Sequence, residues 1–69
     1  MTAILCAIDP DRRDLTETDA REIKDTFDFH GIHAQVLATE TMELDIALER
    51  ATDQGAAALL LRKRGLDVL

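Results

Sequence analysis

Apolar and polar positions alternate along this chain in blocks that read as strand, helix, strand, helix, strand. Ala3-Ile4-Leu5-Cys6-Ala7-Ile8 is an unbroken apolar run, the pattern of a strand covered on both faces. Asp9-Pro10-Asp11 ends it, because proline fixes φ and lacks an N–H while the flanking aspartates favour a turn. Thr16-Glu17-Thr18-Asp19 has the spacing of a helix start, with acids in the first turn where the helix dipole favours them. Ala20, Ile23, Phe27 and His30 then recur on one helical face. Gly31 is the expected C′ residue, and Ile32 is placed to touch Phe27, as in a Schellman stop.

The second half repeats this grammar. His33 to Ala38 alternates as a strand, with Ala34, Val36 and Ala38 facing one way and His33, Gln35 and Leu37 the other. Its weaker apolar content suits an edge position. Thr39 or Thr41 is available as an N-cap. Leu44, Ala47, Leu48 and Ala51 fall at i, i+3, i+4 and i+7, which predicts a helix over 42–54 that Gly55 ends. Ala56 to Leu61 reads as a third strand, fully apolar, closed by Arg62-Lys63-Arg64-Gly65. The tail Leu66-Asp67-Val68-Leu69 follows.

This β-α-β-α-β order predicts one α/β domain over residues 1–69, built on a small three-stranded, mainly parallel sheet with two helices. Right-handed crossovers and the apolar first strand favour the order 2-1-3.

Composition narrows the function more than the fold. The chain has 69 residues, fourteen acids and eight bases, a net charge of −6. A chain this short buries only about 60% of the surface its unfolded form exposes, so a second chain is the expected source of extra stability. A single cysteine, Cys6, excludes an internal disulfide, and no Cys/His cluster offers a structural zinc. The lone cysteine and the lack of a basic leader or a ~20-residue apolar run point to the cytoplasm and away from membranes. Net acidity, with Phe27 and Phe29 as the only aromatics, argues against direct nucleic-acid binding.

The chemistry-bearing residues are few. No serine occurs, so a Ser-His-Asp triad is excluded. Asp28-x-His30-x-x-His33 is broken by Gly31, and Asp9, Asp11 and Asp14 suit turns as well as they suit a cation. Neither set predicts a metal site, and no cofactor motif is present. Five of the eight bases, Arg12, Arg13, Arg62, Lys63 and Arg64, fall at the carboxyl edge of the predicted sheet and form a candidate anion site. Nine of the fourteen acids lie in the two predicted helices. On the second of these, Met42 and Ile46 project opposite the Leu44 stripe, flanked by Glu49 and Asp53. With Phe29 they form a candidate partner-binding surface.

Ile4-Leu5-Cys6-Ala7-Ile8-Asp9 resembles the opening strand of universal stress proteins, which ends in an acidic residue near the nucleotide. The later Gly-rich phosphate motif of that family is absent. Ala20-x-x-Ile23-x-x-x-Phe27 with Gly31-Ile32, and Ala51-x-x-x-Gly55-Ala56, is similar to the anticodon-binding domain of class II aminoacyl-tRNA synthetases.

The expectation is therefore a small acidic protein-binding module, not an enzyme. It would act as a homodimer on a basic partner surface, as an inhibitor or nucleic-acid mimic would. The two alternatives are a phosphate- or nucleotide-type small-ligand domain at the carboxyl edge and, from the second resemblance, an RNA-binding module.

Overall fold

The computed structural model describes residues 2–69. Its elements are β1 (Ala3–Ile8), α1 (Glu17–Phe29), β2 (Ala34–Ala38), β3 (Leu44–Leu48), α2 (Gln54–Lys63) and β4 (Asp67–Val68), with one 3-10 turn at Ala51–Asp53 leading into α2. The sheet order is β2-β3-β1-β4, and every neighbouring pair is antiparallel. Each helix links two strands that are separated in the sheet by a third. This is the split β-α-β arrangement called ferredoxin-like.

The parallel three-stranded sheet is thereby overturned, and the cause is local. Residues 42–54 are not a helix. Thr39 N–H donates to Glu43 C=O at 2.8 Å and Met42 N–H to Thr39 C=O at 3.1 Å, which closes a tight hairpin. Met42 sits at φ +62°. A three-residue hairpin loop needs a left-handed residue at this place, usually glycine. Leu44, Ile46 and Leu48 then face inward while Asp45 and Ala47 face out. Residues 56–61 are not a strand either; they lie within α2, where Ala57 and Leu61 are buried and Leu59 is exposed.

The first half follows the sequence closely. Asp19 accepts hydrogen bonds from Thr16 N–H at 2.8 Å and from Thr16 Oγ1–H at 3.1 Å, fixing the start of α1. At its end Ile32 N–H donates to Phe27 C=O at 2.8 Å and Gly31 N–H to Asp28 C=O at 3.1 Å. With Gly31 at φ +73°, this is the Schellman stop, and Ile32 packs in the same core as Phe27. His30, expected on the buried face, is instead the exposed C-cap. β2 is an edge strand, as its weak apolarity suggested. β1 is central, between β3 and β4.

The core is one cluster between the helices and one side of the sheet. It joins Leu5 and Ala7 of β1 and Leu44, Ile46 and Leu48 of β3 to Ile23 and Phe27 of α1 and to Leu61 of α2. Each of the larger of these side chains, the Leu, Ile and Phe, contributes about 1.5–3 kcal/mol by leaving water. α1 packs on β2, and α2 packs on β1 and β4. Leu66 seals the end of α2, and the short β4 pairs with Ala7 and Ile8.

Gly55 shows the change of register most simply. It lies inside α2 and not after a helix, its φ is not positive, and a Cβ there would meet open space. Gly55→Ala therefore raises stability by up to about 1 kcal/mol. A helix-ending glycine in the left-handed region would give the opposite sign, with a loss of about 1 kcal/mol or more. Thermal unfolding followed by circular dichroism distinguishes the two.

Candidate functional site: the uncovered sheet face

Both helices cover the same side of the sheet, so strand parity decides what the other side presents. Along β1 the outward residues are Ile4, Cys6 and Ile8; along β3, Asp45 and Ala47; along β2, Gln35 and Leu37; in β4, Asp67. The register sets Ile4 opposite Ala47, Cys6 opposite Asp45, Leu37 opposite Asp45, and Ile8 opposite Asp67. Leu69 continues the same parity, its N–H donating to Cys6 C=O at 2.8 Å. Ile4 is 74% exposed, Leu37 64% and Leu69 72%. The apolar run of β1 was expected to be covered on both faces; one of its faces is open.

The charges on this face are all of one sign. Asp45 and Asp67 are exposed, Glu43 stands at the rim, and none of the strand positions on this side is a lysine or arginine. Glu43 is held by its surroundings: its N–H donates to Thr39 Oγ1 at 3.1 Å, and its Oε1 accepts from Thr41 Oγ1–H at 3.1 Å. Cys6 Sγ lies 3.9 Å from Glu43 Oε1. Burial, and then the charges of Glu43 and Asp45, push the Cys6 thiol up. It therefore stays protonated near neutral pH, which makes it a poor nucleophile. A β1 covered on both faces would bury Cys6; with one face open it is only partly buried.

The residues expected to form a partner surface do not come together. Ile46 is wholly buried in the centre of the sheet, so it cannot meet a partner in the folded chain. Met42 is half-exposed in the β2–β3 turn, and Phe29 is exposed at the far end of α1, its ring edge-on to His30 at 5.3 Å. Glu49 is exposed just past β3, and Asp53 is paired with Arg50 at 3.2 Å. These residues fail as a set because the helix that would have aligned them does not exist.

The basic cluster is partly assembled, by a different route. Arg13 and Arg64 line one hollow of about 230 Å³ with Asp9, Asp14 and Asp19. Arg64 reaches it from the end of α2 and not from the end of a strand. Both bases are already engaged: Arg13 with Asp9 at 3.4 Å, Arg64 with Glu22 at 2.7 Å. Three carboxylates beside two paired bases leave little net positive potential for an anion. Arg12 sits at φ +61° in the neighbouring hollow, and Arg62 and Lys63 are exposed on the last turn of α2. Among the described residues no group of three His, Cys, Asp or Glu side chains has the geometry to hold a metal ion. No helix of the described residues is long and apolar enough to cross a membrane.

The residues that matter on the open face were readable only as a parity. Leu44-Asp45-Ile46-Ala47-Leu48 alternates strictly, and that alternation is the signal that puts Asp45 outside. No protein-family model matches this chain, and neither the curated proteins nor the solved structures contain a match to it.

Proposed function

We propose that this chain is a non-enzymatic, cytoplasmic protein-binding module that grips a basic partner with its uncovered sheet face. The observation that carries this reading is the composition of that face. It joins exposed Ile4, Leu37 and Leu69 to Glu43, Asp45 and Asp67 with no base among them. Large apolar side chains exposed on one sheet face with acids between them suit a protein interface, and charges of one sign select partners of the other. A basic protein surface that normally meets nucleic acid offers such a complement, so the chain would act there as an inhibitor or mimic. The strands β1 and β3 of this face are backed by the core, which limits the entropy they lose on binding.

The test uses a peptide of alternating lysine and leucine as the probe, with affinity read by calorimetry at low and moderate salt. Asp45→Lys lowers affinity by about tenfold or more, because a direct pair becomes a repulsion. Asp25→Lys, an equal charge change on the exposed surface of α1, lowers it by no more than about twofold. Equal losses from both variants would mean that only the total charge matters, and the face reading would fall.

A further inference from the structure

We infer that β2 is the dimerisation edge of this protein: two copies pair β2 against β2 and form one continuous eight-stranded sheet. This concerns the backbone edge of β2, which adjoins the uncovered face at Gln35 and Leu37 but pairs through its N–H and C=O groups, so neither proposal depends on the other. The register fixes which backbone groups are available. His33 C=O accepts from Glu49 N–H at 2.9 Å, and Thr39 N–H donates to Glu43 C=O at 2.8 Å. Gln35 and Leu37 lie between these, opposite Ala47 and Asp45. By the alternation of an antiparallel ladder, the odd-numbered residues of β2 bond to β3. The N–H and C=O groups of Ala34, Val36 and Ala38 point to the outer edge, where no strand pairs with them.

The outward set is self-complementary. A two-fold axis through Val36 brings Val36 opposite its own copy and Ala34 opposite Ala38, and about six hydrogen bonds close. The side chains fit as well. Ala34, Val36 and Ala38 face the helical layer and are small, so the two α1 helices can approach above the seam. A hollow of about 260 Å³ already lies there between α1 and Val36–Ala38, and at Lys24 it meets a larger one of about 480 Å³ that passes Ala34 and continues around the end of the sheet to Ile4 and Ala47.

Charge singles out this edge and favours a second copy as its occupant. Natural sheets protect edges with charged side chains, proline, bulges or very short strands. The opposite edge has such protection, for β4 is two residues long and carries Asp67. Ala34-Gln35-Val36-Leu37-Ala38 has none. β2 itself carries no charge, and the α1 surface above it mixes Glu17 and Asp28 with Arg21 and Lys24, so two copies of this chain of net charge −6 meet there without a contact of one sign alone.

The experiment is mass by sedimentation velocity with amide exchange read by NMR, on the whole chain and on Ala34→Pro and Ala38→Pro. Both prolines replace an N–H that points away from β3, so the internal ladder loses no bond. The wild type is expected at about twice 7.7 kDa, with the Ala34, Val36 and Ala38 amides protected and their protection lost on dilution. Each proline variant is expected to be monomeric, with an unchanged far-ultraviolet spectrum and unchanged binding of the lysine–leucine peptide. If the prolines disturb folding, Gln35→Lys with Leu37→Lys replaces them, read by mass and edge-amide exchange alone because both side chains lie on the uncovered face. Both side chains are exposed, and in the dimer these lysines face one another across the seam. A wild type that stays monomeric at every concentration would overturn the proposal. So would a dimer whose mass the variants leave unchanged, or one in which the three edge amides exchange freely.

Discussion

Ile46→Asp unfolds this protein, and Ala47→Asp, one residue along, does not. Ile46 has no exposed surface and lies in the central core of the sheet, whereas Ala47 points to solvent. A carboxylate at position 46 has no partner there and no water, so the substitution costs roughly 5 kcal/mol or more. A domain of this length holds only about 3–10 kcal/mol in total, at roughly 0.05–0.15 kcal/mol per residue. The expected result is the circular dichroism and amide spectrum of an unfolded chain. Ala47→Asp is expected to change stability by no more than about 1 kcal/mol. The pair is informative because a helix over 42–54 reverses it: Ala47 would belong to the buried stripe and Ile46 to the exposed back. A folded Ile46→Asp variant together with an unfolded Ala47→Asp variant would restore that helix.

The second large effect separates Leu61 from Leu59. In α2 these residues lie on different sides, Leu61 wholly buried and Leu59 53% exposed. Leu61→Ala opens a cavity beneath the helix and costs about 2–5 kcal/mol. Leu59→Ala falls within about 0.5 kcal/mol of the parent. In a strand, residues two apart share a face, and the two substitutions would cost alike. Urea denaturation of both variants measures the difference. Equal losses would count against α2.

These two contrasts also mark where the fold was legible from sequence. α1 was plain because its signals are chemical and local: Thr16 with Asp19 at the start, Gly31 and Ile32 at the stop. β1 and β2 were visible as strands for the same reason, bounded by Pro10 and by Gly31. The hairpin after β2 was hidden because its left-handed position is held by Met42, where a glycine or asparagine would have announced a turn. Leu44 to Ala51 carries two periods at once. Leu44, Ile46 and Leu48 alternate, while Leu44, Ala47, Leu48 and Ala51 repeat at helical spacing, and only tertiary pairing with β1 decides between them. Ala56 to Leu61 has no period at all, being apolar throughout, and Gly55 before it suggested a boundary that is not there.

The candidate site inherits these errors and corrections. Once Leu44–Leu48 is a strand, Asp45 leaves an acidic helix and joins Ile4, Cys6 and Leu37 on an open face. Ile46 leaves that candidate surface for the core. The acidity of the chain was legible from composition; where that acidity meets apolar surface depended on the parity of five residues. Of the two family resemblances, the first rested on a single strand ending at Asp9 and the second on packing and capping positions shared by β-α-β units. The antiparallel sheet gives those positions a different setting, with no parallel carboxyl edge to hold a nucleotide.

The pairing of β1 with β3 supports everything above, and nuclear Overhauser contacts between α-protons test it directly. In an antiparallel ladder, residues of a non-hydrogen-bonded pair bring their α-carbons to about 4.5 Å, close enough for strong α-proton contacts. The register predicts such contacts between Ile4 and Ala47 and between Cys6 and Asp45. Finding both fixes β3 beside β1 and leaves the acidic, apolar face uncovered. Their absence, with consecutive amide–amide contacts along 42–54, would make that segment a helix and remove the face on which the proposed function rests.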